Sequence, residues 1–357
     1  MKGSKRYYRD MTQNRPDPRY EAVLAWLQPR TEQFSLDLQR LVPASSDASF
    51  RRYFRVPGAN GTLIVMDAPP PQEDCRPFID VDQRLLAAGL NVPKILDQDL
   101  EQGFLLLTDL GPTTYYTRIR GGVDDPTLQR MYREALAALV TMQQADANGL
   151  PAYDANRLRQ ELELFPEWYV KVHHQTALTD PEKTALDNVF GLLAAHNAAQ
   201  PCVLVHRDFH SPNLMLCEQP EHGPNPGILD FQDALVGPIS YDLASLVMDA
   251  RTTWEEPQQL DWAIRYWEMA RSAGLAVSND FADFHRDYEW MGLQRNLRIL
   301  GVFARLNHRD GKAAYLDHMP RVNQYVRQVA GRYGVFTPLI RLLDRLDGIE
   351  RRTGLTF

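Results

Sequence analysis

The sequence predicts an α+β fold in two lobes, a small β-rich N-lobe followed by a larger, mostly helical C-lobe. Three observations carry this expectation. The 357 residues are enough for two lobes of ordinary size. Short alternating apolar runs broken by Gly, Pro and Asn fill the first hundred or so residues, the pattern of strands and tight turns. After Gly111-Pro112 the apolar residues recur at helical spacing instead. The expected division is a disordered leader over 1–20, an N-lobe over 21–107, a hinge over 108–111 and a C-lobe over 112–357.

Taken in order, Ala22 to Leu27 reads as an early helix. Leu36 to Val42 alternates like a strand. Tyr53-Phe54-Arg55-Val56 and Thr62-Leu63-Ile64-Val65-Met66 read as two more strands, with a Pro-Gly-Ala-Asn-Gly turn between them. Phe78 to Ala88 is a helix ended by Gly89, and Lys94-Ile95-Leu96 and Phe104 to Leu107 are strands. In the C-lobe Asp125, followed by Pro126, is read as a helix N-cap. Leu128, Met131, Tyr132, Ala135, Leu136, Leu139 and Val140 then mark one apolar face. Leu158, Leu162, Phe165, Tyr169 and Val172, at steps of 4, 3, 4 and 3, predict a second helix, and Asp187 to Ala199 a third. From Leu260 onward helical patterns dominate.

Composition narrows the function classes. With 39 Lys+Arg against 46 Asp+Glu the formal net charge is −7, which argues against a nucleic-acid binder that must displace counterions from phosphates. A local cation cluster could still hold a small anion. Three scattered cysteines, Cys75, Cys202 and Cys217, suit reduced thiols in the cytoplasm better than a disulfide framework or a zinc site. The longest run without a charged residue, Asn188 to His206, contains Asn, His and Gln and is no membrane span. The basic, polar start lacks the apolar stretch of a secretory signal, and Met11 is a possible alternative start. A monomer without membrane or nucleic-acid partners is expected.

One segment carries chemistry. The apolar run Val203-Leu204-Val205 leads into His206-Arg207-Asp208-Phe209-His210-Ser211-Pro212-Asn213, and a second apolar pair follows. Fourteen residues after Asn213 begins Gly227-Ile228-Leu229-Asp230-Phe231-Gln232-Asp233. Phosphoryl transfer needs a carboxylate to orient the attacking hydroxyl and hard oxygen ligands to hold Mg²⁺ against nucleotide phosphates. Asp208, Asn213 and Asp230 supply base, metal ligand and metal ligand. A hairpin between Asn213 and Asp230 would bring the two ligands together.

His206-Arg207-Asp208 with Asn213 matches the kinase catalytic-loop pattern, and Asp230-Phe231-Gln232 stands where kinases carry Asp-Phe-Gly. Together with Gly237-Pro238-Ile239-Ser240-Tyr241-Asp242-Leu243-Ala244, these segments resemble the aminoglycoside phosphotransferase superfamily, the small-molecule branch of the protein-kinase-like fold. Within it the chain is most similar to the anomeric N-acetylmuramate/N-acetylglucosamine kinases of bacterial cell-wall recycling. Asp47 to Arg55, Met66 to Pro70, Leu107 to Gly111, Phe165 to Tyr169, Gln294 to Leu297 and Arg309 to Lys312 carry that likeness. The resemblance implies ATP, Mg²⁺ and transfer of a phosphoryl group to the anomeric hydroxyl. It implies Asp208 as catalytic base, Asn213 and Asp230 as magnesium ligands, and His206 and Asp242 as supports of the catalytic loop. Ser45, Ser46 and Ser49 would line the phosphate-covering turn, and Thr108, Asp109 and Leu110 would meet adenine.

Two departures stand out. The turn Ala44 to Ser49 has no glycine, and Thr62 to Asp67 offers no lysine where kinases carry one. The replacing cation is expected among Arg51, Arg52 and Arg55, with Arg52 placed among the ATP-binding residues. Its carboxylate partner is left open between Asp74, Asp80 and Asp82. For the acceptor, His210, Asp233, Glu167, Trp168 and Arg295 are the candidates. Against each stands a blander role: His210 as space filler, Asp233 as a turn cap, the Glu167 to Tyr169 stretch as core packing, and Arg295 with Arg298, Arg305, Arg309 and Lys312 as a solvated helix face. A zinc site at His206 and His210 is disfavoured because no H-E-x-x-H helix is present. The rival readings are a kinase of another small alcohol, such as an aminoglycoside, choline or homoserine, and a non-catalytic kinase-like binding protein.

Overall fold

The computed structural model describes residues 17–46 and 50–349, the side chains of 45 and 46 excepted. The chain divides into two compact units, Met1–Asp146 with Pro212–Ala234, and Ala147–Ser211 with Leu235–Phe357. The division expected from sequence placed everything after 112 in one lobe. Instead the segment up to Asp146 and the stretch Pro212–Ala234 belong to the first unit.

The first unit opens with helix α1, Pro18–Leu27. Asp17 accepts from the backbone N–H groups of Arg19 and Tyr20, and proline at the first turn loses no hydrogen bond there. Helical order thus begins inside the segment expected as a leader, because Asp17-Pro18 is a complete start signal; residues 1–16 lie outside the described residues. Val23, Trp26 and Leu27 bury one face of α1 among Phe54, Val56, Val65, Phe104 and Leu106 of the sheet. That sheet has five antiparallel strands, β1 (Val42–Ser46), β2 (Arg52–Gly58), β3 (Gly61–Asp67), β4 (Ile95–Asp99) and β5 (Phe104–Thr108), in the order β1-β2-β3-β5-β4. Gly61, at φ +109, closes the β2–β3 turn in a region that favours glycine. Leu36 to Val42 is not the expected strand. The Asp37 side chain accepts from Gln39 N–H and closes a tight 3₁₀ turn over Leu38–Arg40, and β1 starts only at Val42.

Helix α2 (Arg76–Ala87), short α3 (Tyr115–Arg120) and α4 (Asp125–Met142) complete this unit with the returning segment. The cap of α4 is Asp124, which accepts from Thr127 N–H, so Asp125 lies one residue inside the helix. Its negative charge still suits the N-terminal end of the helix dipole. In the returning segment Leu214–Met215 pairs antiparallel with Gly227–Ile228. Backbone bonds from Ile228 to Asn91 and from Leu216 to Thr113, both 2.8 Å, fasten it to the rest of the unit.

The second unit is built from α5 (Ala155–Leu162), α6 (Asp180–Ala198), α7 (Tyr241–Val247), α8 (Glu256–Ser272), α9 (Phe281–His308), α10 (Met319–Ala330) and α11 (Thr337–Leu346). Two short strands, Cys202–Val205 and Leu235–Pro238, pair antiparallel. The regular spacing from Leu158 to Val172 predicts one continuous helix. The structure shows α5 and then a π-helical segment, Phe165–His173. Pro166 has no N–H for an α-helical bond, and the wider helix accommodates the break. This segment packs closely on α9: a Cβ on Gly301 would lie 2.3 Å from the Leu164 carbonyl oxygen. Among the described residues no helix is long and apolar enough to cross a membrane.

Candidate active site

The first unit holds a cavity of about 350 Å³. Its walls are sheet residues (Ala44, Tyr53, Arg55, Ile64, Leu107), the Thr108 to Pro112 connection, Phe78, and Asn213, Met215, Leu229 and Asp230 of the returning segment. Thr108, Asp109 and Leu110 therefore line the cavity. Asp109 offers it mainly backbone, since its carboxylate accepts from Arg55 Nε (2.5 Å), Thr62 Oγ1 (2.6 Å) and Gly111 N–H (2.9 Å).

Strand alternation sorts the three arginines. Tyr53 and Arg55 face the cavity, and Arg52 faces away from it. The Arg52 guanidinium donates to Asp67 (2.9 and 2.6 Å) and to Asp17 (2.5 Å). Arg52 is thereby corrected from an ATP-binding residue to an ion-pair partner of the fully buried Asp67, which also holds Arg19. Arg51 pairs with Glu73 (Nε to Oε2, 3.1 Å), and Glu73 also accepts from Phe50 N–H. Glu73 is a carboxylate that sequence reasoning did not single out. Of the three candidates for that role, Asp74 pairs with Arg76, Asp80 pairs with Arg84, and Asp82 is buried with its Oδ1 unpartnered among the described residues. Ser45 and Ser46 lie in β1, opposite Tyr53 and Arg52. Ser49 lies outside the described residues.

The hairpin brings Asn213 and Asp230 together. Asn213 Nδ2 donates to Asp230 Oδ2 (3.2 Å), Gln232 Nε2 donates to Asp230 Oδ1 (2.7 Å), and Leu229 N–H donates to the Asn213 carbonyl (2.9 Å). Asp230 has φ +65, a left-handed conformation that Asp tolerates better than most side chains but that still costs energy. An amide oxygen and a carboxylate on the cavity wall are the hard donors that Mg²⁺ takes alongside phosphate and water, so these residues fit the ion. Asp233 is exposed at the end of the same segment.

In the second unit, the strand Cys202–Val205 delivers His206, Arg207 and Asp208. The Asp242 carboxylate, on the first turn of α7, accepts from His206 N–H (2.7 Å) and Arg207 N–H (3.0 Å). Arg207, at φ +77, is held in a strained conformation by this bond and by an ion pair to Glu161 (3.0 Å). Glu161 also takes Arg298 (3.1 Å) and the Tyr153 hydroxyl. Burial pushes the Asp242 carboxyl up to about 6 despite its two donors. Burial also opposes the Asp208 charge, but His210, Arg298, Arg295 and His206 outweigh it and hold Asp208 down to about 2. Burial first, and then Arg251 and Arg295, push His210 down to about 4, so its ring is neutral at pH 7. With the His210 ring neutral, Arg298, Arg295 and His206 remain as the groups that favour the Asp208 charge.

His210 is buried against Arg251 (Nδ1 to Nη1, 3.5 Å), and its neighbour Ser211 donates to Asp249 (2.6 Å). Arg295, on α9, is 4% exposed. A solvated helix face therefore describes Arg309, exposed and paired with Asp310, but not Arg295. Glu167 is exposed and Trp168 half-buried on the π-helical segment. Sequence reasoning missed Glu161, Asp249 and Arg251. Each acts through a partner at least 38 residues distant or through a loop of irregular backbone, which leaves no periodic trace.

Residues 40–278 match the phosphotransferase enzyme family. The N-acetylmuramate/N-acetylglucosamine kinase of Pseudomonas aeruginosa is 48% identical over 307 residues, covering 86% of this chain and 88% of that protein. The protein of the same name from Neisseria meningitidis serogroup B is 44% identical over 335 residues, covering 93% and 97%. Among solved structures, the ADP-bound aminoglycoside phosphotransferase APH(2'')-Ib has a TM-score of 0.58 at 13% identity, covering 88% of this chain and 99% of that one. Choline kinase LicA from Streptococcus pneumoniae has a TM-score of 0.58 at 12% identity, covering 87% and 100%. These two likenesses show the fold alone, and it is the α+β, protein-kinase-like fold expected from sequence. The chain belongs to the phosphotransferase enzyme family and, within it, to the family of its N-acetylmuramate/N-acetylglucosamine kinase relatives.

Proposed function

We propose that this protein phosphorylates the anomeric hydroxyl of N-acetylmuramate and N-acetylglucosamine with ATP, giving the sugar 1-phosphate in peptidoglycan recycling. The observation that carries the reading is Asp208, a carboxylate kept ionised by the histidines and arginines around it on a loop clamped by Asp242, in a chain 48% identical to a kinase of that name. The family implies ATP as phosphate donor and typically a divalent metal.

In the proposed reaction the anomeric oxygen bonds to the γ-phosphorus as the bond from that phosphorus to the β–γ bridging oxygen breaks and ADP leaves. Asp208 accepts a hydrogen bond from the hydroxyl and aims its oxygen. A carboxylate held near 2 is a weak base, so it takes the proton late, once the new P–O bond has made that proton acidic. The anomeric hydroxyl is more acidic than an ordinary alcohol, which suits a weak base. Asn213 and Asp230 would hold Mg²⁺, which neutralises charge on the β- and γ-phosphates when bound. Thr108 to Leu110 would present backbone to adenine. The Arg51–Glu73 pair is the proposed replacement for the missing lysine, and a monomer in the cytoplasm is the proposed setting.

Phosphorus NMR tests this directly. Protein with ATP and Mg²⁺ is incubated separately with N-acetylmuramate, N-acetylglucosamine and kanamycin. A new signal coupled to an anomeric proton from the amino sugars is the expected result. Phosphate on kanamycin, or on a non-anomeric hydroxyl, would overturn the substrate. No new signal would favour the non-catalytic reading.

A further inference from the structure

A buried guanidinium normally comes with a carboxylate, because desolvating the charge alone costs several kcal/mol. The second unit follows this rule at two positions and breaks it at a third. Arg207 and Arg298 share Glu161 at 3.0 and 3.1 Å. Arg295, one helical turn before Arg298 on α9, is 4% exposed, and none of its nitrogens donates to another described residue. Its Nε and Nη1 are fully enclosed and unpartnered.

The placement is not accidental packing. Gly292 lets α9 approach the end of α7, where a Cβ would lie 2.4 Å from Met248 Sδ, and Asn296 Nδ2 reaches the same sulfur at 3.9 Å. The next residue, Asp249, accepts from Ser211 of the catalytic loop at 2.6 Å. The helix face that carries Arg295 is thus anchored beside the loop that carries Asp208, and the Arg295 charge is felt at both Asp208 and His210.

We infer that Arg295 is the specificity residue for an acidic acceptor: its guanidinium binds the carboxylate of the lactyl ether on N-acetylmuramate. This rests on the substrate reading above and goes beyond it by naming what distinguishes the acidic sugar from its neutral counterpart. A carboxylate is the natural occupant. It is ionised at neutral pH, accepts from several guanidinium donors at once, and would satisfy donors that no described residue satisfies. The neutral sugar presents no anion, so Arg295 keeps its desolvation cost when that sugar is bound.

The test measures kcat/KM for N-acetylmuramate, for its uncharged carboxamide and for N-acetylglucosamine, in wild type, R295K and R295Q. Losing one charge-assisted bond in a buried site is worth about 10- to 100-fold. R295Q is expected to lower the acid-to-neutral ratio of kcat/KM by that factor, with R295K in between. The carboxamide on wild type should lose about as much as the acid loses on R295Q, and combining the two changes should cost little more than either. Because no Arg295 nitrogen donates to another described residue, the melting temperature of R295Q should not fall. An equal loss for all three acceptors would overturn the inference, as would a raised KM for ATP, which would assign the guanidinium to a nucleotide phosphate instead. Wild type that turns over neither sugar would overturn the substrate reading and this inference with it. Failure of the inference alone leaves wild-type turnover of both sugars intact.

Discussion

Asp208 is a residue whose role follows from its surroundings as much as from its identity. Its carboxyl titrates near 2, so it is ionised over the whole range in which a kinase is assayed. Asp208→Asn keeps the volume and removes the charge; it is expected to fold normally and lose ~10²–10⁴ in kcat. Near-wild-type turnover would refute the assignment. Asp82 is the opposite case. It is 1% exposed, its Oδ1 has no hydrogen-bond partner among the described residues, and burial raises its carboxyl to about 7. The unfolded chain holds that proton only below about 4. Between pH 4 and 7 the folded state therefore binds a proton that the unfolded state has released, and stability falls as pH rises through this window. The full penalty, about 2–4 kcal/mol, is present above pH 7. Asp82→Asn should melt at the wild-type temperature near pH 4 and a few degrees higher at pH 8. A difference that is the same at both pH values would show that the carboxyl does not titrate as described. The meeting of Asn213 with Asp230 was legible in the sequence, because one short hairpin joins them. Glu73, Glu161 and Asp249 were not, because each matters only through a partner that folding brings near.

At the scale of elements, spacing located most helices and strands and failed where a local hydrogen bond or a packing demand overrode it. The alternation from Leu36 to Val42 lost to an Asp37 turn. The 4, 3, 4, 3 spacing after Leu158 was right about four of its five residues, since Leu158, Leu162, Phe165 and Tyr169 are buried and Val172 is half-buried. It was silent about helix type, because a π-helical stretch presents much the same face over one or two turns. What fixes that stretch is its contact with α9, and two glycines report on it differently. At Gly301 an added methyl meets the Leu164 carbonyl at 2.3 Å, which is backbone and can yield only by moving the π-helical segment. At Gly292 the obstacle is Met248 Sδ, the end of a flexible side chain that can rotate away. Gly301→Ala is expected to cost about 1–3 kcal/mol in thermal or denaturant unfolding, and Gly292→Ala markedly less. The reverse order would mean that α9 is free to shift along the segment.

For the whole molecule, the change of pattern at Gly111-Pro112 announced two parts, but no motif or spacing signals that the chain leaves the first part at Asp146 and comes back to it at Pro212. Periodicity reports which face of an element is buried, not which distant element buries it. The return has consequences for folding. Residues 212–234 give the first unit Asn213, Met215, Leu229 and Asp230 of the cavity wall. They also give it the buried Phe231, whose ring lies 4.8 Å from that of Phe78, and the backbone partners of Asn91 and Thr113. A fragment of residues 17–146 keeps the five-stranded sheet and its covering helix but exposes Phe78 and leaves those backbone groups unpaired. It is therefore expected to retain secondary structure without cooperative melting, and to bind a hydrophobic dye as loosely packed states do. Appending residues 212–234 through a flexible linker should restore a sharp transition, since closing a longer loop adds only a slowly growing entropic cost. A sharp melt from 17–146 alone would mean that the sheet and α1 form a self-sufficient core, and that the returning hairpin serves the cavity and not the fold.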